Sequence, residues 1–251
     1  MIKSQWACFV TLSALLLTTF SAYAEDPRRQ YNEPTRGFFL EHGRVSGQGK
    51  VSAELHTGSD DVDAGGGIRL GLSNAELIVN SGATAYSGDE LMLKWGLNDA
   101  INRNNEAQNR SKNQFDLALI AALSHVDNED ANGQTTVDQT NVKLGAAATV
   151  DVDAATFTLA PSIVYVDGNI KEDTFVTVDL GGYVGIIDTP SGLFSVGVEA
   201  LFTTEDNADH SFAIGGRWAY NDRVNLDFVP FVFSEGNRVG LPGIVRLNIG
   251  L

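Results

Sequence analysis

Near the end of the chain, Glu199, Arg217, Asp227 and Arg246 are each the charged member of a run that is otherwise small or apolar in alternation. Extended strands would put these four on one face and let successive neighbours pair them as a cross-strand ladder. Earlier runs supply Glu54, Arg69, Lys94 and Asp179 in the same way, together with Lys50, Glu76, Glu90, Asp116 and Lys143. The set is close to neutral, and such a set has two uses. It can stiffen a narrow enclosed space and block it, or form a constriction whose transverse field orients small polar or zwitterionic solutes.

Catalytic chemistry is not expected. The histidines are His42, His56, His125 and His210. Ser124-His125 and His210-Ser211 are sequence neighbours, so on a strand their side chains point to opposite faces and cannot act as nucleophile and base. His125 or His210 with Asp127 or Asp209 supplies half of an acidic protease site and no motif. Asp127 to Gly133 (DNEDANG) departs from the spacing of a helix-loop-helix calcium site. Gly65-Gly66-Gly67 opens no helix, so it is not a phosphate cradle. The single cysteine, Cys8, lies in the first segment and leaves the remainder without thiol or disulfide chemistry. We therefore expect no catalytic residue, no metal site and no cofactor.

The elements that carry the charges are strands. Val176, Val178, Leu180, Gly182, Val184 and Ile186 form one row; Phe194, Val196, Val198, Ala200 and Phe202 form the next. Phe212, Ile214, Trp218 and Tyr220 follow, then Val224, Leu226, Phe228 and Val232, and last Val245, Leu247, Ile249 and Leu251. Seven further runs precede these, beginning with Val45 to His56, and Pro161 within the seventh predicts a bulge. Period two throughout predicts an all-β fold of about twelve strands.

A sandwich alternates too, but its polar row faces bulk water and is dense in Lys, Glu, Ser and Thr. Here the minor row is mostly Gly, Ala, Ser and Thr with one or two charges, as a crowded barrel interior requires. The apolar row then faces lipid. The final strand, apolar at every second position to Leu251, resembles the carboxy-terminal assembly signal of bacterial outer-membrane barrels, a family that usually ends in Phe. That resemblance implies insertion by the barrel-assembly machinery into the cell outer membrane, with lipid and lipopolysaccharide as surroundings.

Residues 1–24 read as a cleaved signal peptide, with Lys3, an apolar core from Phe9 to Leu17 and Ala22-Tyr23-Ala24 before the cut. Residues 25–43 read as an extended leader whose Phe38, Phe39 and Leu40 either pack on the barrel or enter its lumen, and residues 44–251 as the barrel. The chain carries 17 Lys and Arg against 32 Asp and Glu, a net charge of −15. That balance argues against a nucleic-acid partner, which needs a basic surface. Connections alternate short (Ser73-Asn74, Asp153-Ala154) and long, as a barrel with both ends in the periplasm requires, except that Asn98 to Gln114 is long where a turn is expected. Acidic residues crowd the long loops, at Asp60, Asp61, Asp63, Asp127, Glu129, Asp130, Asp167, Glu172, Asp173, Glu205, Asp206 and Asp209.

The run GIRLGLSNAELIVNSG followed by GDELMLKWGLN resembles outer-membrane transporters of the aromatic meta-cleavage pathway type, at Arg69, Gly71, Leu72, Glu76, Asp89, Lys94 and Trp95. The resemblance covers about a quarter of the chain. It implies an antiparallel transmembrane β-barrel and passage of a solute, and names no substrate. The expected function is a porin-like channel for small polar solutes, its lumen lined by Glu54, Arg69, Lys94, Asp179, Glu199, Arg217, Asp227 and Arg246. The rival is a non-conducting structural or adhesive barrel with acidic surface loops.

Overall fold

The computed structural model describes residues 36, 38, 40–46, 48–58, 65–81, 88–97, 113–129, 135–152, 154–169, 172–189, 192–205, 210–220, 224–234 and 244–250. In chain order the strands are β1 (Val51–Gly58), β2 (Gly65–Leu72), β3 (Ala75–Ser81), β4 (Asp89–Gly96), β5 (Asn113–Glu129), β6 (Thr135–Val152), β7 (Ala155–Gly168), β8 (Glu172–Thr189), β9 (Gly192–Thr203), β10 (Ser211–Ala219), β11 (Val224–Ser234) and β12 (Ile244–Gly250). Each pairs antiparallel with its sequence neighbours, and β1 closes against β12 from Ser52 opposite Gly250 to Gly58 opposite Ile244. The twelve strands therefore form one closed barrel. Closure satisfies every edge, which is what allows strands to cross hydrocarbon.

Alternation sets the two surfaces. Leu55 is 65% exposed while Glu54 beside it is 4% exposed. The same inversion recurs along the strands: Ile68, Leu93, Trp95, Leu119, Leu144 and Phe228 stand outside, while Arg69, Lys94, Asp116 and Asp227 are buried. An exterior of this kind suits a hydrocarbon solvent and not water.

Several expectations are corrected. The wall begins at Val51, so Val45 belongs to no strand; it is buried against Ala118, and Phe38, Leu40 and residues 41–45 are buried inside the barrel on both sides of the expected leader boundary. Lys50 is exposed rather than inward. Pro161 carries no bulge: it faces outward in unbroken register opposite Val178, and the β6–β7 ladder simply opens between the Gly145–Ser162 and Ala148–Leu159 pairs, where its missing N–H falls. Register shifts occur instead in β8, in β11 and near the end of the β5–β6 ladder, between Asn128 and Glu129. Gly185 pairs with Ser195 and Ile187 with Phe194, so Ile186 is the extra residue and Ile187 takes the outward place. In β11 the extra residue falls at Pro230, beyond which Phe231 faces outward and Val232 packs inward.

The inner row is also less polar than expected. Ile78, Met92 and Ile120 with Ala122, Ala147 and Ala160 form one buried apolar layer, and Val164, Val166 and Phe175 another. Several acidic positions expected in loops, Asp127, Glu129, Asp167, Glu172 and Asp173, lie within strands β5, β7 and β8. The expectations on residues 1–35, Phe39, Asp60, Asp61, Asp63, 98–112, Asp130, Asp206, Asp209 and Leu251 fall outside the described residues.

Candidate functional site

The residues around Phe38 cannot form a strand of the wall, because Arg36-Gly37-Phe38-Phe39-Leu40-Glu41 has no alternation to offer it. Arg36 instead faces Glu41 in an isolated antiparallel bridge, so the segment doubles back on itself inside the lumen. Phe38 is 1% exposed and packs on Tyr183, Ala213, Val229 and Ile244, with its ring edge-on to that of Tyr183 at 5.4 Å.

The wall holds this segment by its polar groups. Glu199 accepts the backbone N–H of Phe38 and, at 3.2 Å, that of Leu40, and also the hydroxyl of Tyr183. Arg246 donates to the carbonyl of Phe38, and Arg217 Nη1 to that of Arg36 at 3.2 Å. Gly43 donates its N–H to Thr149 Oγ1 at 2.8 Å. A Cβ at Gly43 would stand 2.7 Å from the Ala147 carbonyl oxygen, so only glycine lets the segment lie this close to the wall.

Side chains of the segment complete the lumen charges. The Glu41 carboxylate receives Arg69 Nη1 and Nη2 at 3.0 and 2.6 Å, and Lys94 Nζ at 2.9 Å. Arg36 Nη1 meets Glu54 at 2.8 Å. Arg44 Nε lies 3.3 Å from Asp116, and its Nη2 pairs with Asp151. Ser46 Oγ donates to Glu76 at 2.6 Å, and Glu76 lies 2.9 Å from Lys94. Burial alone would raise the Glu41 pKa, but Arg69 and Lys94 outweigh it and hold the carboxyl well below its ordinary range. His42 is 2% exposed, and neither ring nitrogen has a hydrogen-bond partner among the described residues. Burial, then Arg44, Arg217 and Lys94, keep its pKa well below the usual value, so it is neutral.

Seven of the eight expected lumen residues meet this segment or each other in one network. Arg217 and Asp227 form a two-pronged pair, Arg246 lies 3.8 Å from both Asp227 and Glu54, and Arg69 lies 3.8 Å from Glu54 and 3.7 Å from Glu76. Ion pairing thus runs from β10 through β11, β12, β1, β2 and β3 to β4. Register sets Glu199 opposite Ala213 and Arg217 opposite Ser195, and Glu199 accepts the segment's amides. The eighth, Asp179, stands on β8 with Lys143 Nζ at 3.7 Å.

Ser124 is inside, bonded to Asn141 at 3.1 Å, while His125 is outside, 3.3 Å from Thr140. Among the described residues no group of three or more His, Cys, Asp or Glu is placed to hold a metal ion. The residues that sequence reasoning missed are Arg36, Glu41, His42 and Arg44. Their signal was a close run of opposite charges and glycines in a stretch without strand period.

Among solved structures, the chain is similar to one described as "NanC porin structure in rhombohedral crystal form", with a TM-score of 0.46 and 10% identity over 80% of this chain and 98% of that one. No protein-family model and no curated protein matches it.

Proposed function

We propose that this chain is an outer-membrane, porin-like channel for small polar solutes, closed by the lumen segment that carries Arg36, Phe38, Glu41 and Arg44. One observation carries this reading: charges buried inside an apolar-skinned barrel are completed by a segment outside the wall, through side-chain ion pairs and single hydrogen bonds instead of a ladder. Such contacts can be exchanged for solvent or solute without opening the sheet. The exposed apolar rows support lipid and lipopolysaccharide as surroundings, β12 supports insertion by the assembly machinery, and residues 1–24 support export through a cleaved signal.

The segment brings two cations, Arg36 and Arg44, against one anion, Glu41, so its withdrawal leaves the lumen more negative and an open lumen prefers cations. The second reading is a permanently closed structural barrel, which the buried Phe38 and the apolar layer around Ile78 and Met92 favour. Single-channel recording in planar bilayers separates the two, comparing the intact chain with a variant lacking residues 36–46. Discrete openings that grow in the deletion, with a cation-selective reversal potential, support the channel. Faithful insertion of both forms without conductance overturns it in favour of the structural barrel.

A further inference from the structure

Glu41 and Arg44 are three residues apart, and each is held in a separate charged pocket of the wall. The carboxylate end is made by Arg69 and Lys94 on β2 and β4, with three hydrogen bonds of 2.6 to 3.0 Å to Glu41. Both cations are braced from behind by Glu76, 2.9 Å from Lys94 and 3.7 Å from Arg69. The cation end is made by Asp116 and Asp151 on β5 and β6, which pair with the Nε and Nη2 of the Arg44 guanidinium. Arg69 and Lys94 pair with Glu76 on β3 as well as with Glu41, so the wall holds these two cations and not the segment alone.

We propose that these two pockets form a two-pole solute site, and that the segment occupies it as a built-in ligand. The solutes it takes carry a carboxylate and a cationic ammonium or guanidinium on one short chain. The carboxylate replaces that of Glu41 between Arg69 and Lys94, and the cation replaces that of Arg44 between Asp116 and Asp151. Neither end alone specifies such a solute. A fork of Arg69 with the Lys94 ammonium recognises the carboxylate plane, and two carboxylates recognise a cation, while the fixed separation of the strands selects chain length. A solute bearing only one charge leaves the other pole desolvated and unmatched, which costs binding. The inference rests on the channel reading for its physiological sense, but binding can be measured without conduction.

The test uses the full chain in detergent micelles with Glu41→Ala and Arg44→Ala combined, which empties both poles. A series of ω-amino acids from β-alanine to aminooctanoate is titrated by calorimetry, beside propionate, methylguanidinium and neutral propionamide. Expected is saturable binding with an optimum at one chain length, about tenfold or more tighter than propionate or methylguanidinium because the linked second charge binds at raised effective concentration. Arg69→Met should abolish the gain from the carboxylate, and Asp116→Asn that from the cation. If the double variant does not fold, Glu41→Ala alone should bind propionate and Arg44→Ala alone methylguanidinium. Binding without length dependence, or no preference over propionamide, overturns the site. A barrel that binds in this way but never conducts retains the site and loses the channel reading.

Discussion

Arg217 and Asp227 face each other across the β10–β11 ladder and meet through two hydrogen bonds, Nε to Oδ1 at 2.6 Å and Nη2 to Oδ2 at 2.8 Å. This pairing is dictated by register, since both residues point inward from directly opposed positions. Arg246 lies beyond it at 3.8 Å from the same carboxylate, so Asp227 answers two cations.

Removing that carboxylate should therefore cost more than removing one surface pair. Asp227→Asn leaves Arg217 and Arg246 short of charge compensation, and we expect a loss of roughly 3–5 kcal/mol. Urea unfolding of the barrel in lipid vesicles measures it. Combining Asp227→Asn with Arg217→Gln should recover part of the loss, because fewer cations then remain without a counter-charge.

Arg44 ties the lumen segment to β5 and β6 through Asp116 and Asp151. Arg44→Ala breaks both ion pairs, a loss of about 1.5–3 kcal/mol, between that of an exposed pair and that of a fully buried one because Asp151 is partly exposed. The undocked population should rise roughly ten- to a hundredfold. The readout is the frequency of openings in planar bilayers. Unchanged traces, with faster amide exchange at residues 36–46, would show that undocking does not open the barrel.

Acid should release the segment before it unfolds the wall. Glu41 and His42 both have docked pKa values below their free ones, so the undocked segment binds the proton more readily. The contribution of His42 is present above about pH 6.5 and is lost as pH falls below that value toward its docked pKa. That of Glu41 persists to lower pH, above the free carboxylate range, and is lost as pH falls through its own docked value. Hydrogen exchange at residues 36–46 should thus accelerate from mildly acidic pH downward while the β5–β6 amides stay protected. His42→Leu should remove the earlier part of that acceleration.

Two glycines give a matched contrast. A Cβ at Gly197 would stand 2.7 Å from Tyr183 Cε1 and 3.1 Å from Phe38 Cε2, whereas at Gly182 it would meet only the outward Phe157 ring at 3.5 Å. Gly197→Ala should displace Tyr183, unseat Phe38 and weaken docking by roughly 1–3 kcal/mol. Gly182→Ala should change segment exchange and conductance little.

The outer surface can be tested at Leu119, which is 48% exposed on β5 opposite Ala146. If this belt lies in lipid, Leu119→Arg costs about 2–4 kcal/mol in a bilayer. Folding free energy in vesicles reports it, and a substitution without penalty would place this face in water.

Much of this architecture could be read from the chain alone. Rows such as Phe194, Val196 and Val198 against Glu199 fix which side chains share a face, because a strand repeats every two residues whatever its partner. Twelve such rows, with charges confined to the minor one, determined an antiparallel barrel and placed Glu54, Arg69, Lys94, Asp179, Glu199, Arg217, Asp227 and Arg246 on its inner face. The rule failed where one extra residue resets the phase, at Ile186 and at Pro230, after which Ile187, Phe231 and Val232 change sides. A bulge is invisible to periodicity read strand by strand, since its cause lies in the neighbouring register.

What the sequence by itself determined is this alternation, and with it the antiparallel barrel. Only the tertiary structure decided what those charges meet. Phe38 is bonded to Arg246 across 208 residues and to Glu199 across 161, and Glu41 to Lys94 across 53. None of these partners is specified by local pattern, because an irregular segment has no period and its place follows from charge and shape matched over the whole closed wall. The lumen segment therefore became visible only once closure had brought β2, β4, β5, β6, β9 and β12 around it.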